Sequence, residues 1–263
     1  MGGEGIAWDL IGFGVLGSLI SGLATGLGAL LILFRSEWSE RSQIVMLSFA
    51  ADMMLAASIF SLLIPGYELI LERGAGRFAA SLETALGLSV GAIAIYLSNL
   101  LIPHEHFIKG REGRPTIELG RHWLFILAIT LHNIPEGMSV GVAFGGGVER
   151  GVPVMLGIGT QNIPEGLAVA AALVGDGFSR WRAFLIALLT GLVEPLGGLV
   201  GALATAPSDV LLPWGFFFAG GAMLYVIFAE VIPETHPSGA ERATTLSLMA
   251  GFLLMMVLDL SLG

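Results

Sequence analysis

His132 and Glu136 stand four residues apart, and so do Gln161 and Glu165. On a helix, residues i and i+4 share a face. One face then presents an imidazole with a carboxylate, and a second face presents an amide with a carboxylate. Imidazole nitrogen beside carboxylate oxygen suits zinc and its first-row neighbours better than calcium or magnesium. Glu136 and Glu165 are each suited to bridge two ions. Asn133 and Asn162 project to the side and offer amide oxygens to a second position.

These residues belong to a repeated block. His132-Asn133-Ile134-Pro135-Glu136-Gly137 is echoed by Gln161-Asn162-Ile163-Pro164-Glu165-Gly166. Pro135 and Pro164 lack an N–H and disrupt the preceding turn, so a kink is expected in each helix. That frees the carbonyls of Leu131 and Thr160. Free carbonyls at membrane depth are tolerated where they line a wet cavity or are buried in protein. Gly137 and Gly166 allow close helix approach. The competing reading is a kinked helix pair whose polar groups satisfy one another. It leaves two membrane carboxylates without a cation, which would then have to be protonated.

Further acids lie at membrane depth. Glu194 precedes Pro195; it serves either a metal path or a local bond to Thr190, four residues earlier. Met54 follows Asp52-Met53 among small apolar residues. A methionine there is ordinarily packing, and the sharper reading is a thioether facing a metal path. Asp52 is a candidate for the same path. Glu230, with Glu234 and His236 following, and His104 and His106 form two clusters at helix ends. Each alone reads as a solvated end; together they are candidates to receive a metal leaving the pore.

The elements that must position these groups are transmembrane helices. Hydrophobic residues make up 55% of the chain and charged residues 13%, against about 25% charged in a soluble domain. A mean hydropathy of +0.84 agrees. A spanning helix needs about 20 mostly apolar residues. Eight segments qualify: 8–34, 43–66, 83–103, 122–145, 152–175, 182–206, 210–232 and 243–262. The expected fold is an all-α integral membrane protein with a single transmembrane domain over 1–263. The 38 glycines suit close helix packing in lipid. There are no cysteines, which excludes disulfides, thiolate ligands and cysteine nucleophiles. A net charge of −9 argues against a nucleic-acid partner.

Cytoplasmic loops are enriched in Lys and Arg. The links after segments 1, 3, 5 and 7 contain Arg35, Arg41, Lys109, Arg111, Arg114, Arg121, Arg180, Arg182 and Arg242. The remaining links hold Arg73, Arg77 and Arg150. This bias puts both termini outside and the 103–121 link in the cytoplasm. No basic residue precedes the first apolar run, so that segment is expected to be retained rather than cleaved as a signal peptide. Segments 4 and 5 run antiparallel, and their motifs meet near the bilayer midplane. Equivalent motifs on antiparallel helices point to an inverted repeat, a common transporter plan.

With these motifs the chain resembles the ZIP (Zrt/Irt-like protein) family of divalent metal transporters, within it the bacterial GufA-like branch. The paired Asn-Ile-Pro-Glu-Gly blocks, Glu194-Pro195, Met53-Met54-Leu55-Ala56-Ala57-Ser58 and Glu230-Val231-Ile232-Pro233-Glu234-Thr235-His236 carry the likeness over nearly the whole chain. The resemblance implies a binuclear centre at mid-membrane. One position would use His132, Glu136, Gln161 and Glu165, with Met54 nearby. The other would use Asn133, Glu136, Asn162, Glu165 and Glu194. It also implies a 3+2+3 helix arrangement related by inversion, an elevator-like movement of one bundle against the other, and a homodimer. Some relatives have Asp where this chain has Asn162, which gives their second position more negative charge. Many carry a long His-rich cytoplasmic loop, where this chain has a short basic one.

The function expected is transport of Zn2+ into the cytoplasm across a bacterial inner membrane, with Cd2+, Fe2+ and Mn2+ able to share such a site. An intramembrane zinc hydrolase is an alternative, although the His-Glu-x-x-His signature is missing. A cation-coupled transporter of a small organic solute is another. An enzyme is not the expected reading.

Overall fold

A computed structural model describes residues 2–35, 38–102, 104–106, 110–112, 121–235 and 241–262. Helix α1 spans Gly2–Phe34 and α2 spans Glu40–Ala57. A π-helical turn over Ser58–Leu63 joins α2 to α3, Ile64–Glu72. Then come α4 (Arg77–Leu101), a hairpin of β1 (His104–His106) and β2 (Gly110–Glu112), α5 (Arg121–Gly145) and α6 (Val148–Gly175). The chain continues as α7 (Arg180–Gly191), α8 (Glu194–Thr205) and α9 (Leu211–Val226). A second π turn over Ile227–Val231 leads to α10 (Ile232–Thr235), and α11 (Glu241–Leu262) ends the chain. The small hairpin, with His104 opposite Glu112, is the one pair of strands among the described residues.

Among the described residues, seven helical stretches are long and apolar enough to cross a membrane, and the chain reads as a multi-pass membrane protein. The eighth expected span, α6, is 28 residues long. Its block of Gln161, Asn162, Pro164 and Glu165 holds its hydropathy down. It need not face lipid, because much of its second half is buried. Serines start two of the helices. Ser39 caps α2 by accepting from the Ser42 amide at 3.1 Å, and Ser179 caps α7 by accepting from the Arg182 amide at 3.4 Å.

Prolines shape three of the spans differently. Pro65 and Pro233 each follow a π turn, where the extra residue relieves the clash of the ring with the preceding turn. The sixth span breaks at Leu192–Val193, so Glu194 and Pro195 open α8 as a new helix. Pro suits such a first turn because its missing N–H would be unpaired there anyway. By contrast α5 and α6 run as continuous helices through Pro135 and Pro164.

Helices pack in two groups. The first comprises α1, α5, α6, α7 and α8. Within it glycines lie directly on neighbouring carbonyls: Gly28 on Ile163, Gly166 on Thr25, Gly137 on Glu194 and Gly197 on Ile134. Gly22 and Gly191 lie on each other's carbonyls. A Cβ at any of these positions would overlap backbone. The second group comprises α2, α4, α9 and α11, locked in the same way by Gly91 on Phe218, Gly221 on Leu88 and Gly251 on Phe49. Between the groups glycines meet only side chains, as Gly157 meets Met255 and Gly215 meets Thr205 and Val142. The two motif helices are joined by a tight turn in which Gly147 takes φ +116°, a conformation that favours glycine.

Candidate metal centre

The motif on α5 begins eleven residues into a 25-residue helix, and the motif on α6 begins thirteen residues into a 28-residue one. The helices run antiparallel, so both motifs lie at mid-bundle. Glu136, Gln161 and Asn162 are fully buried; Asn133 and Glu165 are nearly so.

Several of these buried groups lack a hydrogen-bond partner. Neither carboxylate oxygen of Glu136 has a hydrogen-bond partner, although the Gln161 side chain lies beside it. The amide oxygens of Asn133 and Gln161 are likewise unbonded. Glu165 and Glu194 both act electrostatically on Glu136. A buried polar group left unpaired costs about 1–3 kcal/mol, more if charged. Here four buried oxygens and the Asn133 amide nitrogen stand unpaired in one small region. Such an excess of oxygens suits a cation.

A cavity of about 70 Å3 opens beside it, with Met54, His132, Glu136, Glu165 and Glu230 among its lining residues. That is room for several waters. Every lining residue lies level with the motif or between it and the end of the bundle that bears the 103–121 link. Toward the opposite end, Val140, Phe144, Val154, Ile158, Phe216 and Met223 pack into a buried apolar cluster. The cavity therefore lies on one side of the motif and dense apolar packing on the other.

The candidates separate into three sets. Met54, His132, Glu136 and Glu165 line the cavity. Met53 does not; it is buried in a cluster with Ala56, Ala57 and Met255. Asp52 is half-buried on α2 and does not line the cavity. A second set lies on the far side of the motif. The Asn162 amide donates to Glu194 at 2.6 Å and to the Ser21 carbonyl at 2.9 Å, and the Ser21 hydroxyl donates to Glu194 at 2.6 Å. Glu194 therefore does not bond to Thr190, whose hydroxyl donates to Ala187 instead. Its place in the first turn of α8 also suits a carboxylate, because the helix dipole is positive there.

The third set was expected to serve only the exit path. Glu230, carried by the π turn after α9, meets the Nε2 of His132 and accepts a hydrogen bond from the side-chain amide of Asn99 on α4. In this conformation, therefore, no three His, Asp or Glu side chains gather to grip one ion among the described residues. The side chains of His104 and His106, and all of His236, lie outside the described residues.

Sequence reasoning passed over Ser21, Thr25 and Asn99. A signal for the first two existed. Ser21-Gly22-Leu23 followed by Leu27-Gly28 is echoed by Thr190-Gly191-Leu192 followed by Leu196-Gly197, which sets Thr25 against Glu194. For Asn99 no comparable motif is present.

Known proteins give this geometry its context. Residues 109–259 match the family model described as ZIP zinc transporter. The chain is 49% identical over 254 residues to the zinc transporter GufA of Myxococcus xanthus, covering 96% of this chain and all of that one. It is 46% identical over 255 residues to the zinc transporter ZIPB of Bordetella bronchiseptica, covering 96% of this chain and 82% of that one. Over 331 aligned residues it is 33% identical to human zinc transporter ZIP11, covering 95% of this chain and 97% of that one. Buried oxygens at mid-bundle, the doubled motif and end-to-end similarity agree, and the chain belongs to the ZIP family of zinc transporters, as a GufA-like bacterial member.

Proposed function

We propose that this protein carries Zn2+, and divalent ions of similar ligand preference, across the bacterial inner membrane into the cytoplasm. The observation that carries the reading is the array of unpaired acceptor oxygens on Asn133, Glu136 and Gln161 at mid-bundle. A divalent cation sheds water to enter such a site and gains these oxygens in its place. Glu136 and Glu165 bridge two positions. Gln161, with His132 and Met54, completes the first; Asn133, Asn162 and Glu194 complete the second. Nitrogen, oxygen and thioether donors together suit zinc, cadmium and their neighbours better than calcium or magnesium.

The packing supports alternating access in an elevator-like manner. Glycines lie against backbone within each helix group, whereas the glycines between the groups meet only side chains, an arrangement that suits two bodies moving past one another. The paired glycine contacts fit a 3+2+3 inverted repeat. One constant offset in the numbering takes Gly22 to Gly191, Thr25 to Glu194 and Gly28 to Gly197, and the carbonyl contacts of each set mirror those of the other. The bias of Lys and Arg puts both termini outside. On that orientation the cavity lies on the cytoplasmic side of the motif, and the conformation reads as inward-facing.

The test is zinc flux into liposomes containing purified protein and a trapped zinc-sensitive dye. The parent protein should carry zinc and Glu136→Ala should not. No flux from the parent, or equal flux from both, would overturn the reading.

A further inference from the structure

Two polar clusters at opposite ends of the bundle correspond residue by residue. At the cytoplasmic end, Glu230 on its π turn accepts from Asn99 and meets His132. At the outer end, Ser61 on the other π turn donates to Asp259 on α11. The glycine contacts fix how the two ends match. Gly91 of α4 lies on the Phe218 carbonyl, and Gly251 of α11 lies on the Phe49 carbonyl. Laying α4 on α11 by these glycines puts Asn99 on Asp259. Laying α2 on α9 by these phenylalanines puts Ser61 on Glu230, and starts the two π turns at the same place. The doubled motif puts His132 on Gln161. The counterpart of His132–Glu230–Asn99 is therefore Gln161–Ser61–Asp259.

Only one of the two trios is closed in this conformation. His132 is engaged with Glu230, whereas the side-chain oxygen of Gln161 has no partner. The outer cleft around Ser61 and Asp259 holds Pro153 and Val154 of α6 instead. Gln161 lies two turns further along the same helix face.

We propose that in the outward-facing conformation Gln161 joins Ser61 and Asp259, while His132 leaves Glu230. The inference rests on the inverted-repeat, alternating-access reading above. The bonding is complementary: the Gln161 amide donates to the Asp259 carboxylate, and its freed carbonyl oxygen accepts from Ser61. Replacing Val154 by Gln161 at the cleft requires α6 to slide by about 10 Å, seven residues at 1.5 Å each. One contact closes as the other opens, so the two trios latch the two end states. The same exchange turns an unpaired amide oxygen in one state into a paired one in the other.

The chain contains no cysteine, so introduced pairs report without background. A disulfide forms only when the two Cα atoms approach within about 7 Å. Two double variants test the outer contact: Ser61→Cys with Gln161→Cys, and Asp259→Cys with Gln161→Cys. His132→Cys with Glu230→Cys reports the conformation described here. Each is oxidised in liposomes, and bridged molecules are counted by protection from a maleimide-polyethylene glycol gel shift. Protection of either Gln161 pair, reversed by reductant, supports the proposal. Both Gln161 pairs remaining fully reactive, in protein that elutes as one symmetric peak and whose His132–Glu230 pair bridges, overturns it. That failure would leave zinc flux through the unaltered protein intact, and so would not touch the transport reading.

Discussion

The side-chain amide of Asn162 donates to Glu194 at 2.6 Å, inside the bundle and away from the open cavity. Donation to the Ser21 carbonyl uses the other amide proton. Asn162 thus serves as a neutral clamp on a buried carboxylate. An aspartate there could offer the metal a full charge, but it would have no proton to give Glu194.

Asn162→Asp should therefore lower the stability of the metal-free protein and raise the stabilisation that zinc provides. Removing the donor and setting two carboxylates together costs roughly 2–3 kcal/mol. At about 2 °C per kcal/mol for a chain of this size, the melting temperature should fall by roughly 4–6 °C. Differential scanning fluorimetry with chelator and with zinc checks both halves. An unchanged metal-free melting temperature counts against the clamp.

On the proposed ligand set, Glu230 competes with zinc for His132. Binding an ion through Nε2 of His132 means breaking the Glu230 contact first. Glu230→Gln keeps the shape and weakens the competitor. Charge-assisted hydrogen bonds contribute about 1.5–3 kcal/mol, so zinc should bind tenfold or more tightly. Release into the cytoplasm should slow in proportion. Calorimetry on detergent-solubilised protein reads the first effect and liposome flux reads the second. Looser binding would show that Glu230 acts as a ligand in this state rather than as a rival.

The central motif was legible because its chemistry is local: spacing of four on a helix fixes a shared face, and the doubled block fixes two helices. Seven spans were legible from apolar length, the eighth expected segment forms the 28-residue helix α6, and the observed ends fall within a few residues of the expected ones for most. The His132–Glu230–Asn99 trio was not, because its members come from three helices, with His132 and Glu230 separated by 98 positions in sequence. Packing alone brings them together. The two π turns were also hidden: nothing in Ile64-Pro65 or Ile232-Pro233 marks the turn before the proline as wide, and only the folded backbone reveals the extra residue in each turn. Ser21 was missed for a different reason, since a lone serine in an apolar helix carries no pattern until its glycine neighbours are matched with those of the sixth span.

Gly191 and Gly22 leave no room for side chains where α1 crosses α7. Gly191→Ala should destabilise the protein by about 1–3 kcal/mol through overpacking against backbone that cannot yield. Gly159→Ala is the matched comparison, because a Cβ there would meet the nearest neighbour, the Ser21 Cα, at an ordinary 3.6 Å. That variant should melt within about 1 °C of the parent, since helix propensity favours alanine. Equal melting temperatures for the two variants would mean that the crossing is looser than the contacts imply.

Zinc binding should weaken in acid. The ion needs neutral imidazole and ionised carboxylates, so binding displaces protons from any ligand that holds one. Each displaced proton reduces affinity by up to tenfold per pH unit. Between pH 7.5 and 5.5 the apparent affinity should fall, and calorimetry in buffers of different ionisation heat should count the protons released. A pH-independent affinity would require all of the ligands to be deprotonated already.

Glu136 is the residue for which function and stability most clearly oppose each other. Its two oxygens are fully buried and accept no hydrogen bond. Its neighbours Glu165 and Glu194 act on it electrostatically. A group held in this way destabilises the empty protein, and an arriving cation relieves that cost. Glu136→Gln keeps the volume, removes the charge and adds an amide that can donate to the unpaired oxygens of Asn133 or Gln161. The metal-free variant should therefore be more stable than the parent, by on the order of 1–3 kcal/mol, and melt roughly 2–6 °C higher. Zinc, which should raise the melting temperature of the parent, should leave the variant unmoved, and flux should be lost. A fall in metal-free stability would mean that the Glu136 carboxylate is satisfied in the empty protein, and the case for a cation at this point would lose its main physical support.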